Sequence, residues 1–86
     1  MKTLLYFSAE WCGPCRTMVG PIINELITEG YSIKKIDVDL NFEMAQYYGV
    51  RNIPTVILLN SMGEERSRKI GQSSKQTYID MYNQIP

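Results

Sequence analysis

An α/β fold with the element order βαβαββα is what this sequence predicts, and three observations predict it. Two apolar runs, residues 3–7 and 56–59, have the length and composition of buried strands. A segment with helical apolar spacing, residues 18–29, follows the first run directly. A half-apolar stretch at 32–38 then completes strand, helix and strand within the first forty residues, the order of a parallel crossover. With 86 residues the chain has room for one domain, 1–86, which must use its core efficiently because a domain this small buries only about 60% of its unfolded surface.

Each element has its own signal. Residues 3–7 run into Ser8-Ala9-Glu10-Trp11-Cys12-Gly13-Pro14-Cys15, after which Met18, Val19, Ile22, Ile23, Leu26 and Ile27 recur on one helix face until Gly30 stops it. Pro21 falls inside that pattern, where its missing N–H and its ring predict a kink. In 32–38, Ile33, Ile36 and Val38 mark the second strand. Asn41 is placed to cap a short helix over 42–48 that Gly49 ends. Val56-Ile57-Leu58-Leu59 reads as a strand buried on both faces, and Asn60-Ser61-Met62-Gly63 as the turn after it. The charges of Glu64, Glu65, Arg66, Arg68 and Lys69 suit an exposed edge strand protected against aggregation. Ser73 or Ser74 caps a last helix whose stripe is Tyr78, Met81, Tyr82 and Ile85. Lys2, Lys34 and Lys75 read as solvated surface charges.

Composition narrows the function. Nine Lys plus Arg balance nine Asp plus Glu, so no basic surplus points to nucleic acid or anionic lipid. No run approaches the roughly 18 apolar residues of a membrane span, and the apolar start is too short for a secretion signal, so a cytoplasmic monomer is expected. Histidine is absent, which removes the usual neutral-pH base and the commonest metal ligand and leaves sulfur as the reactive element.

Cys12 and Cys15 are the only two cysteines. Cys12 falls at a strand-to-helix junction, where unpaired N–H groups and the positive end of the helix dipole favour a thiolate, expected here to be open to water. Cys15, one turn further, is near enough to attack a disulfide formed at Cys12. Gly13 and Pro14 add no bulk over the first sulfur, and Pro14 lacks an N–H that would have no partner there. Three other readings are weaker. A structural zinc site needs about four ligands and the chain offers two thiolates, so no metal and no cofactor is expected. A purely structural disulfide closing so short a loop would constrain the unfolded chain little. Two inert buried thiols would need neither the intervening proline nor the adjacent Trp11.

Ala9-Glu10-Trp11-Cys12-Gly13-Pro14-Cys15 resembles the active-site signature of the thioredoxin family, and Ile53-Pro54-Thr55 is similar to the family's cis-proline loop. The resemblance continues through Val38-Asp39, Tyr48-Gly49-Val50-Arg51 and Gly71, and so covers nearly the whole chain. It implies a minimal thioredoxin fold: a four-stranded mixed sheet in the order 2-1-3-4 with three helices, lacking the usual first strand and helix. It also implies that Cys12 attacks, that Cys15 resolves, and that Pro54 carries a cis bond beside them. An extended substrate segment would dock on the backbone at Ile53 and Arg51-Asn52, with Trp11, Gly71 and Gln72 completing the groove.

The implied activity is dithiol–disulfide exchange that reduces protein disulfides, recharged by an NADPH-dependent thioredoxin reductase; compact members can supply electrons to ribonucleotide reductase. Size alone would also suit a glutaredoxin-like chain recharged by glutathione, although those usually carry Pro-Tyr between the cysteines. An oxidant or isomerase of secreted proteins would need an export signal, and a non-enzymatic interaction module would need no cysteines. Two departures bear on mechanism. Tyr6 stands where most thioredoxins place a buried aspartate, while Lys35 matches the family's buried lysine, so deprotonation of Cys15 is expected to rely on Lys35, the Tyr6 hydroxyl or water. An unpaired buried Lys is costly, so Lys35 is expected to reach solvent or Tyr6. Pro21 arrives one residue later than in typical members, which predicts a shifted kink or a local bulge.

Overall fold

The computed structural model describes all residues, Met1–Pro86. Strand β1 (Thr3–Ser8) lies inside the sheet, where Leu4, Leu5, Tyr6 and Phe7 are all buried. β2 (Ile33–Asp37) runs parallel to it, from Leu4 opposite Ile33 to Ser8 opposite Asp37. β3 (Thr55–Leu59) runs antiparallel on its other side, and β4 (Glu65–Ile70) pairs antiparallel with β3. The order is therefore β2-β1-β3-β4. A crossover through the first helix joins the parallel pair, and a hairpin joins β3 to β4.

Successive residues of a strand point to opposite faces, so a central strand covered on both sides must be apolar throughout. Leu4 and Tyr6 of β1, with Val56 and Leu58 of β3, enter one core with Val19, Ile23, Leu26, Tyr78 and Met81. Leu5 and Phe7, with Ile57 and Leu59, enter a second core with Ile36 and Ala45. The first core packs under α1 (Gly20–Thr28) and α3 (Lys75–Tyr82), the second under α2 (Phe42–Tyr47). Truncating fully buried Phe7 to Ala would cost about 3–5 kcal/mol, enough to threaten a domain of this size. No helix is long and apolar enough to cross a membrane.

Where the chain departs from its sequence pattern, a local cause is visible. Helical backbone begins at Gly13, between the cysteines, and passes through a π turn, Cys15–Val19, before the regular α1 starts at Gly20, with Pro21 in its first turn. The expected disturbance thus takes the form of a bulge: a π turn absorbs one extra residue just before Pro21. β2 spans Ile33–Asp37, one residue short of expectation at each end.

Asn41 does precede α2, but its side chain caps nothing; its amide donates to the Asp37 carbonyl instead. The turn is already held by Asp37, whose carboxylate accepts from the N–H groups of Asp39 and Leu40. Ser74, of the two candidate serines, caps α3 by accepting from the Thr77 N–H. Ile85 lies beyond the end of α3 yet still packs against the first core.

Two lysines read as solvated charges are not free. Lys2 donates to the carbonyls of Tyr82 and Ile85 at 2.8 and 2.7 Å, satisfying acceptors at the C-terminal end of α3. Lys75 reaches Glu25 of α1 and Glu29 just past its end at 3.0 and 2.6 Å, fastening the two helices that share a face. Lys34 is exposed, as are Glu65, Arg66 and Lys69 along edge strand β4.

Candidate active site

The end of β1 delivers the chain to the C-terminal edge of the parallel pair, where Ala9 accepts from the Cys12 N–H at 3.1 Å and closes a tight turn. Cys12 then accepts from the Arg16 N–H at its carbonyl, and its sulfur accepts from the Cys15 N–H at 3.3 Å. The two cysteines form a disulfide, their Cα atoms 5.3 Å apart. A backbone N–H aimed at the Cys12 sulfur is the contact that would favour its thiolate in the reduced form.

Exposure corrects the expectation from sequence. The Cys12 sulfur was placed open to water, but Cys12 is 5% and Cys15 3% exposed. Ala9, Val38 and Ile53 pack around the pair. An uncharged disulfide has no charge to hydrate, so these apolar neighbours close on it at no desolvation cost. Gly13 and Pro14 between the cysteines are exposed, and so is Trp11 beside them.

The Ile53–Pro54 bond is cis, as the resemblance implies, and Pro54 is buried. Its carbonyl accepts from the Gly71 N–H at 2.8 Å, which ties the start of β3 to the residue after β4. Gly71 has φ +88°, the left-handed region that glycine enters without strain. Neither the N–H nor the C=O of Ile53 takes a backbone partner, leaving a short stretch of main chain free beside the sulfurs. Arg51, Asn52 and Gln72 are exposed around this stretch. Arg51 lines a shallow depression of about 400 Å³ with Val38, Asp39 and Phe42.

One partner escaped the reading of the sequence as a site residue. The Trp11 indole N–H donates to the Asp39 carboxylate at 2.8 Å, so an otherwise exposed ring is held in one orientation. The signal was available: an acid just past a strand parallel to β1 lands at the same sheet edge as the residues just past β1.

The far side of Cys15 is different in kind. The Tyr6 hydroxyl donates to the Cys15 carbonyl at 3.4 Å, a long bond, and burial pushes its pKa above the usual 10.0, keeping it neutral. Tyr6, Cys15, Gly20, Asn24, Lys35 and Asp37 share a cavity of about 290 Å³ there. Lys35 is exposed and donates to the Asn24 side chain at 2.9 Å; of its two expected destinations it takes solvent, not Tyr6. No cluster of three or more Cys, Asp or Glu side chains is assembled anywhere that could hold a metal ion.

Comparison with known proteins converges on one family. The family model described as Thioredoxin matches residues 1–84. The thioredoxin of Rickettsia felis is 38% identical over 86 residues, covering 96% of this chain and 80% of the relative. That of Chlamydia pneumoniae is 42% identical over 82 residues, covering 93% and 78%. Among solved structures, a thioredoxin variant from Halobacterium salinarum NRC-1 superposes with TM-score 0.84 at 36% identity, covering 94% of this chain and 71% of that one. Fasciola hepatica thioredoxin gives 0.83 at 31%, covering 94% and 77%.

Proposed function

Since the chain belongs to the thioredoxin family and is a thiol–disulfide oxidoreductase working through the Cys12–Cys15 pair, we propose that it reduces protein disulfides in a reducing compartment, recharged by an NADPH-dependent thioredoxin reductase. The observation that carries this reading is the disulfide itself, formed at the mouth of a helix beside a free stretch of backbone.

In the proposed cycle the Cys12 thiolate attacks one sulfur of the substrate disulfide, forming a mixed disulfide and expelling the other sulfur as a thiolate. Cys15 then loses its proton and attacks the Cys12 sulfur. The second substrate thiolate leaves and takes up a proton, and the protein is left oxidised. The substrate segment adds to the free N–H and C=O of Ile53 as a short β-bridge. Trp11, Arg51, Asn52, Gly71 and Gln72 rim that groove, and buried Pro54 presents no N–H to compete with the sulfurs. Gly13 and Pro14 leave the approach to Cys12 unobstructed. Lys35 and water in the cavity behind Cys15 take part in removing its proton, and the Tyr6 hydroxyl supports the same cysteine. Ribonucleotide reductase, which must be re-reduced by a dithiol after each turnover, is a substrate of the right chemistry.

A coupled assay tests the reading. The protein is offered a disulfide-bonded protein substrate with either NADPH plus thioredoxin reductase or glutathione plus its reductase, alongside an equilibrium redox titration. Turnover with the first system and a reducing midpoint are expected. Turnover only with glutathione would reassign the chain to glutathione-coupled reduction, and substrate-independent behaviour of a double Cys→Ser variant in vivo would point to a scaffold role.

A further inference from the structure

The turn between the cysteine pair and α1 is organised around one atom, the carbonyl oxygen of Cys15. The Gly20 N–H donates to it across five residues and closes the π turn. The Tyr6 hydroxyl, rising from β1, donates to it from the sheet side. A Cβ placed on Gly20 would stand only 2.5 Å from that oxygen, well inside van der Waals contact, and the obstructing group is backbone that cannot swing aside. Gly20 has φ −54°, an ordinary helical value, so glycine is needed here for space and not for conformational freedom. Pro21, which follows directly, has no N–H to return to the Thr17 carbonyl, so the helical ladder is already interrupted where the π turn ends.

We propose that Gly20 and Tyr6 are positioning residues for Cys15, and that the π turn they hold sets how readily the Cys15 sulfur reaches Cys12 when Cys12 is joined to substrate. The inference rests on the disulfide-exchange reading and concerns only its second half. Cys12 lies upstream of the turn, and the N–H that Cys15 aims at its sulfur belongs to the peptide before Cys15, not to the carbonyl that the turn holds, so the first attack depends on the turn less than the second. The second attack depends on it directly. It forms the Cys12–Cys15 bond and breaks the bond between Cys12 and substrate, the proton of Cys15 passing to solvent and another returning to the departing thiolate. A displacement of the Cys15 backbone by a few tenths of an ångström to about 1 Å misaligns an in-line attack on sulfur and costs about ten- to a hundredfold in rate.

The test separates the two steps. Reduced protein is mixed with a disulfide-linked peptide, quenched with acid at intervals, and the peptide–protein mixed disulfide is counted by mass spectrometry. In the native protein the intermediate should form and vanish without accumulating. In Gly20→Ala it should form at a rate within about twofold of native but resolve about tenfold or more slowly, and so accumulate. Tyr6→Phe, which keeps the buried ring and removes one long hydrogen bond, should slow resolution about two- to fivefold with formation unchanged.

Resolution at the native rate in folded Gly20→Ala, or an equal slowing of both steps, overturns the proposal. Should circular dichroism show Gly20→Ala unfolded, Tyr6→Phe decides alone: slowed resolution upholds the assignment and native resolution rejects it. A Cys15→Ser protein that forms no mixed disulfide at all would instead defeat the exchange reading underneath, a result distinct from either.

Discussion

The disulfide faces two unlike surroundings. On one side it meets carbon: Ala9, Val38 and Ile53 pack around the two cysteines, and Trp11 stands exposed beside them, pinned by Asp39. On the Cys15 side it meets polar groups around a cavity: the Tyr6 hydroxyl, Asn24, Lys35 and Asp37. The difference teaches how one small domain can divide a two-step exchange. The apolar, backbone-lined side suits recognition of many extended segments by shape, and the polar side gives a buried thiol a path along which its proton can leave.

The comparison can be broken most severely at the sulfurs. Cys12→Ser should reduce turnover by about a thousandfold or more, since the nucleophile is gone, whereas Cys15→Ser should leave the first attack intact and hold substrates as stable mixed disulfides; non-reducing gels separate the two results. Equal loss of covalent capture in both variants would contradict the division of roles. Next in size, Ile53→Asp sets a carboxylate against the pair, disfavouring the Cys12 thiolate. Turnover should fall about ten- to a hundredfold and the pH–rate profile of Cys12 alkylation should move to higher pH; an unmoved profile would mean that the Ile53 side chain does not reach the thiolate.

Asp39→Ala sharpens the contrast more gently. It frees the indole without touching the sulfurs, so KM for protein substrates should rise about three- to tenfold with kcat nearly constant, and Trp11 fluorescence should report a more mobile ring. An effect confined to kcat would place Asp39 in the chemistry instead.

The smallest effect lies deepest. Two tyrosine hydroxyls are buried in one core: Tyr6 donates to the Cys15 carbonyl, whereas Tyr78 makes no well-formed hydrogen bond, Ser73 being the polar group beside it. Tyr78→Phe should therefore raise stability by about 0.5–1 kcal/mol in denaturant unfolding, because it removes an unsatisfied polar atom. Burial raises the pKa of both hydroxyls above 10.0. The unfolded chain releases these protons near pH 10 while the folded chain still holds them. Their contribution is thus complete below that pH and is lost as pH rises towards the folded values. Tyr78→Phe should flatten the alkaline decline; an unchanged slope would show that Tyr78 does not drive it.

How much of this could be read from residues alone follows from the range of the forces involved. The two central strands were legible because a strand covered on both faces must be apolar at every position, and 3–7 and 56–59 are nearly so. The cysteine pair was legible because its spacing and its place after a strand are both local. The Ser74 cap was legible only as a choice between two serines, since capping depends on a bond that either could make. Asn41 misled for the same reason: its side chain found the Asp37 carbonyl, and that acceptor exists only once β2 has ended where it does. The Trp11–Asp39 bond joins residues 28 apart, and Lys2 reaches α3 from the other end of the chain. No local pattern encodes either.

Sequence by itself determined the strand and helix order, the edge strand with its charges, and the two sulfurs with their place at a helix start, because propensity, periodicity and spacing act over a few residues. Only the tertiary structure decided how deeply the sulfurs are covered, where Lys35 points, and what form the disturbance before Pro21 takes. Burial and hydrogen-bond choice are settled among groups that the chain brings together from distant positions, and a one-residue surplus can be absorbed as a kink or as a π turn according to what packs against it.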